Sequence, residues 1–133
     1  MKVYNSIEEF NISNKTAVTT GTFDGVHNGH KVIIEQLKRA AEKIGGESVI
    51  LTFFPHPRMV LYPDDSDLRL LNTINERISM LEKTGIDHLI IHPFSKEFSR
   101  LSSTEFVREI LVNHLNVGTL VIGYDHHFGR NRE

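Results

Sequence analysis

Apolar and polar positions along this chain switch repeatedly between two periods. Thr16-Ala17-Val18-Thr19-Thr20 is a short β-branched run that reads as a strand, and Lys31 to Ile44 carries the spacing of an amphipathic helix closed by Gly45-Gly46. Ser48-Val49-Ile50-Leu51-Thr52-Phe53-Phe54 is nearly all apolar, the pattern of a parallel strand buried on both faces. Pro55-His56-Pro57 stops it, because proline cannot donate to a ladder. Arg58 to Leu71, with Pro63 and the aspartates Asp64, Asp65 and Asp67, reads as a long loop with at most one helical turn. Thr73 to Thr84 fits a helix, with Ile74, Ile78 and Leu81 on one side and Gly85 at its end. His88-Leu89-Ile90-Ile91-His92 is a third strand, halted by Pro93. Ser102-x-x-Glu105 has the form of a capping box opening a helix that runs to about His114, and Val117 to Ile122 is a fourth strand. Strands alternating with helices predict an α/β fold: a Rossmann-like parallel sheet with helices on both faces and ligands outside the strands' carboxyl ends.

Three unusual segments fall at that predicted edge. Gly21-Thr22-Phe23-Asp24-Gly25-Val26-His27-Asn28-Gly29-His30 follows the first strand, Phe54-Pro55-His56-Pro57 the second, and Gly123-Tyr124-Asp125-His126-His127-Phe128-Gly129 the fourth. The first is a strand-to-helix turn. Its glycines let backbone approach a ligand, and the helix behind it offers unpaired N–H groups and the positive end of a dipole. His27 and His30, three residues apart, can address one bound phosphate together. Asp24 either bonds its own turn backbone or serves the ligand, and the residues alone leave both open.

Charge and composition narrow the class of partner. The formal charge of −2 over 133 residues, without a Lys/Arg block, argues against nonspecific nucleic-acid binding. With no cysteine there is neither a disulfide framework nor thiolate chemistry, which suits a reducing cytoplasm. No apolar stretch approaches the length of a membrane span, and the first residues lack a signal-peptide core. Oligomeric state is not legible.

His27-Asn28-Gly29-His30 resembles the HxGH signature of the nucleotidyltransferases, which specifies a reaction class better than a substrate. Thr52-Phe53-Phe54-Pro55-His56-Pro57-Arg58 and Gly123 to Gly129 narrow the resemblance to the FMN adenylyltransferase module of the bacterial bifunctional riboflavin kinase/FAD synthetases, from about Thr16 onward. That resemblance implies adenylyl transfer from ATP, with Mg²⁺, to FMN, giving FAD and pyrophosphate. It implies catalytic roles for His27 and His30, and a nucleotide site of Gly21, Thr22, Phe23, Asp24, His27, Gly29 and His30. Phe54, Pro55, Pro57, Asp125 and Phe128 would face the flavin, and Arg130 and Arg132 are candidates for phosphate.

The chain also departs from the family pattern. Phe54 stands where the family usually has an acidic residue, and His126-His127 where it has an aromatic followed by a variable position. A Ser-Ser-Thr-x-x-Arg segment and a kinase barrel normally lie further on. Residues 1–133 are therefore expected to be the N-terminal part of the adenylyltransferase domain, with its remainder and any riboflavin kinase domain outside this sequence. Leu101-Ser102-Ser103-Thr104 resembles that signature only superficially, since Val107 stands where its arginine should be. Two other readings stay open: a cytidylyltransferase acting on a small phosphorylated alcohol, and a nucleotide- or flavin-binding fragment without catalysis. No resident metal site is expected, because adjacent histidines on extended backbone point opposite ways and nothing else supports zinc ligation at His56, His126 and His127.

Overall fold

The computed structural model describes residues 1–21, 28–54 and 74–122. Its centre is a sheet of five parallel strands: β1 (Lys2–Tyr4), β2 (Thr16–Thr20), β3 (Glu47–Phe53), β4 (His88–His92) and β5 (Val117–Leu120), in spatial order β1-β4-β3-β2-β5. β2 lies between β3 and β5, paired through Thr20↔Leu51 on one side and Val18↔Leu120 on the other. All five strands run the same way, so their carboxyl ends share one edge.

Alternation along the strands divides the core into two layers. Ala17, Ile50 and Leu89 meet Ile34, Leu37 and Ala41 of α1 (Asn28–Lys43) and Leu81 of α2 (Ile74–Glu82). Val18, Val49, Leu51 and Ile90 point the other way, onto Ile7, Phe10, Phe106, Leu111 and Leu115. That second cover consists of a 3₁₀ turn (Ile7–Glu9), the short α3 (Lys96–Ser99), and a helix that starts as α4 (Ser103–Glu105) and continues in π form over Phe106–Val112. The predicted parallel sheet with helices on both faces is the observed fold.

Local chemistry explains the boundaries. α1 ends in a Schellman arrangement: Gly45, at φ +63°, donates to the Glu42 carbonyl and Gly46 to that of Ala41. The capping box is present in both directions, with Glu105 N–H donating to Ser102 Oγ and Ser102 N–H to Glu105 Oε1, each at 3.2 Å. Three features differ from the sequence expectation. α1 begins at Asn28, ahead of the expected Lys31, so Gly29 and His30 belong to its first turn. β1 pairs beside β4 although its three residues carry no readable alternation. The last helix is π-helical because its buried residues, Phe106 and Leu111, are five apart, and backbone bonds such as Leu115 N–H to Ile110 O span the same interval. The predicted loop over Arg58 to Leu71 lies outside the described residues.

The amino edge of the sheet is closed by polar side chains. Tyr4 Oη lies 2.9 Å from His88 Nδ1, and His88 Nε2 lies 2.8 Å from Glu47 Oε1, which shares its carboxylate with Asn14 Nδ2. The His88 contact is the main reason the Glu47 carboxyl sits below its usual range. Asp87 Oδ2 accepts from both the backbone N–H and the hydroxyl of Ser48. These groups join β1, β4 and β3 at the end remote from the glycine turn.

Candidate active site

The chain builds outward from β2 to β3 and β4, then returns to the other flank of β2 with β5. A reversal of this kind leaves a crevice at the carboxyl ends of the two strands where the direction changes, here β2 and β5. Thr20 ends β2 and is buried; Gly21 follows, its N–H donating to the Leu51 carbonyl at 3.1 Å. α1 then begins at Asn28, with Gly29 and half-buried His30 in its first turn. The leading N–H groups of a helix have no partner four residues back, so that turn presents donors and positive potential to whatever sits above β2. His30 is thus placed at the switch-point edge. Thr22, Phe23, Asp24 and His27 lie outside the described residues.

Phe54 continues β3 past the sheet, with its N–H held by the His92 carbonyl at 3.2 Å and its side chain 45 % exposed. Across β2, the Val121 N–H bonds the Val18 carbonyl at 2.8 Å, and Ile122 beyond it is 53 % exposed. Two accessible apolar side chains therefore end the strands that flank β2, a suitable lining for a flat aromatic ligand. Of the residues that the resemblance assigns to the flavin, Phe54 stands at the carboxyl edge of the sheet. Pro55, Pro57, Asp125 and Phe128 lie outside the described residues, as do His56, His126, His127, Arg130 and Arg132.

His92, which the sequence suggests only as a structural or solvent-facing histidine like His88 and His114, also ends at this edge. Its Nδ1 accepts the Ile7 N–H at 3.1 Å, which assigns the ring proton to Nε2. Its ring stands 5.1 Å from that of Phe98, within an aromatic group that also holds Phe53 and Phe94. Burial pushes the His92 pKa below the usual imidazole value; Glu8 pulls it back up, and His114 adds to the depression. A histidine at the end of an apolar run gives no sign in one sequence of which backbone group it will meet. Among the described residues no group of three or more His, Cys, Asp or Glu side chains could hold a metal ion.

The model of the FAD synthetase family matches residues 9–133. The chain belongs to that family. It is 36 % identical over 113 residues to the bifunctional riboflavin kinase/FMN adenylyltransferase of Listeria monocytogenes, covering 85 % of this chain and 36 % of that protein. The protein of the same description from Escherichia coli K12 is 32 % identical over 116 residues, covering 87 % of this chain and 37 % of its own length. The chain thus spans well under half the length of the curated relatives it matches. Among solved structures, one titled as a macrolide-efflux protein from Streptococcus pneumoniae superposes with a TM-score of 0.86 at 27 % identity, covering 98 % of this chain and 43 % of that one. Pantothenate synthetase from Thermus thermophilus superposes with a TM-score of 0.51 at 17 % identity, over 71 % of this chain and 32 % of that one, a likeness of fold. No helix among the described residues is long and apolar enough to cross a membrane.

Proposed function

We propose that this chain is the N-terminal part of an FMN adenylyltransferase domain, within a longer protein that also phosphorylates riboflavin to FMN. The observation that carries the reading is the FAD synthetase family match across residues 9–133, which includes the His27-Asn28-Gly29-His30 motif, whose last two residues stand in the first turn of α1. In the proposed reaction an FMN phosphate oxygen attacks the α-phosphorus of ATP in line. A P–O bond forms as the α–β anhydride bond breaks, giving FAD and pyrophosphate. The attacking phosphate is already anionic near neutral pH, so no general base is needed.

What the site must stabilise is charge growing on the α-phosphoryl oxygens and on the leaving pyrophosphate. Imidazole N–H groups of His27 and His30 and the first-turn amides of α1 suit that task, with Gly21, Thr22, Phe23, Asp24 and Gly29 shaping the nucleotide cradle. Mg²⁺ bound with ATP would supply charge neutralisation along the phosphates. Phe54, Pro55, Pro57, Asp125 and Phe128 form the proposed flavin side. A cytoplasmic setting fits these substrates. The test is a titration of the full-length protein with FMN, ATP and CTP, each with Mg²⁺, read by flavin fluorescence and calorimetry, followed by an assay for FAD. Binding of FMN and ATP, weak CTP binding and FAD formation support the reading. CTP binding without FMN overturns it in favour of a cytidylyltransferase, and binding without product leaves only a ligand-binding module.

A further inference from the structure

The largest fully buried side chain among the described residues is a charged one. Arg77, on α2, is 1 % exposed and sits one turn before Leu81 on the face that packs against the sheet. Leu81 joins Ile34, Leu37, Ile50 and Leu89 in an ordinary apolar cluster, so an apolar residue would be the usual choice one turn away. A guanidinium stays protonated under all physiological conditions, and removing it from water costs several kcal/mol before any partner is counted. Shape alone therefore does not account for arginine here.

What arginine adds is a rigid fork of donors, and its reach is specific. Nη1 lies 3.5 Å from Oγ1 of Thr52, which is itself fully buried. Thr52 is the penultimate residue of β3, paired with Ile91 of β4, and Phe54 follows two residues on. Among the described residues, the end of β3 is thus held at its backbone and at its side-chain layer. The backbone is held by the His92 carbonyl at Phe54 N–H, and the side-chain layer by a guanidinium anchored on α2.

We infer that Arg77 is a positioning residue for flavin recognition: through Thr52 it fixes the carboxyl end of β3 and hence the stance of Phe54. The role assigned to it is indirect, and its effect is expected on the β3 side of the crevice rather than on the β2–α1 side proposed for ATP. This inference rests on the proposed flavin site. It adds to that reading a residue remote in sequence from every motif that suggested it.

The experiment uses the full-length protein and its Thr52→Val and Arg77→Lys variants, each measured for FMN affinity by fluorescence, ATP affinity by calorimetry, and kcat and KM for both substrates. Thr52→Val removes the acceptor at nearly constant volume; Arg77→Lys keeps the charge and loses the fork. Both variants are expected to weaken FMN by about five-fold, the equivalent of one hydrogen bond of about 1 kcal/mol, with ATP affinity within about two-fold of the parent. A smaller folded fraction scales both apparent dissociation constants alike, so a loss of stability alone leaves their ratio unchanged. If the two variants keep the parent's ratio of FMN to ATP affinity, Arg77 is only a packing residue and the inference fails. A parent protein that binds ATP but no FMN would instead remove the flavin site itself, a separate result visible before any variant is made.

Discussion

At the scale of single residues, His30 and His92 show how differently one side chain can be used at the same edge. His30 is carried on the first turn of a sixteen-residue helix, where a donor meets an anion without rearrangement. Loss of one such charge-stabilising donor typically raises a barrier by about 2.7–4 kcal/mol. On the proposed function, His30→Ala in the full-length protein is therefore expected to lower the rate of FAD formation on the order of 100-fold or more. A rate within a few-fold of the parent removes His30 from the chemistry. His92 works through its neutral form, because protonated Nδ1 would point a hydrogen at the Ile7 N–H. With the folded pKa depressed below the ordinary imidazole value of about 6.5, this contribution to stability is complete above that value. It declines as pH falls toward the folded pKa. Urea midpoints between pH 7 and 5 should fall less in a His92→Gln variant, whose amide oxygen can accept without titrating; equal slopes would show that His92 does not couple. The motif put His30 at the opening of a helix, where the structure has it. The role of His92 was not legible, because its partner is a backbone amide 85 positions away.

At the scale of elements, strands and caps were readable where local chemistry decides them, and obscure where tertiary contact does. Thr16–Thr20 and His88–His92 stand where their composition placed them. The capping box at Ser102 and Glu105 is satisfied in both directions. Ser102→Ala should lower stability by about 1 kcal/mol, seen as a shifted denaturation midpoint with unchanged slope. No shift would mean that the π-helix behind it holds the turn unaided. The π segment itself was hidden because Phe106, Val107, Ile110 and Leu111 satisfy an ordinary helical stripe equally well. The observed burial of Phe106 with Leu111 and the backbone bonds spanning five residues reveal the wider turn. β1 was missed for a related reason: three residues are too few for a period, and its place is set by the β4 edge and by Tyr4 meeting His88.

At the scale of the whole molecule, parallel strands give the two edges of the sheet different work. The amino edge is tied by Tyr4, His88, Glu47, Asn14, Ser48 and Asp87, while the carboxyl edge leaves Phe54 and Ile122 open to solvent. The alternation of elements in the sequence was enough to predict a parallel sheet whose carboxyl ends share one edge. It could not show that Arg77 is buried, since a charged residue on an exposed-looking helix carries no sign of where it will pack.

The order β1-β4-β3-β2-β5 has one more consequence, for the newly synthesised chain. β2, β3 and β4 are contiguous in synthesis, and with α1 and α2 they can assemble one core layer. β5 is the last of the five strands to leave the ribosome, and Thr16 meets Val117 only then. Contacts so distant in sequence form late, because loop closure precedes any reward from pairing. The crevice beside β2 therefore comes into being at the end of synthesis of this region, so on the proposed function nucleotide would stabilise a finished sheet rather than template an unfinished one. In pulse-labelled hydrogen exchange during refolding, amides of β3 and β4 should gain protection before those of β5, with ATP leaving the early step unchanged. Simultaneous protection of all three strands would mean instead that the sheet condenses as one unit.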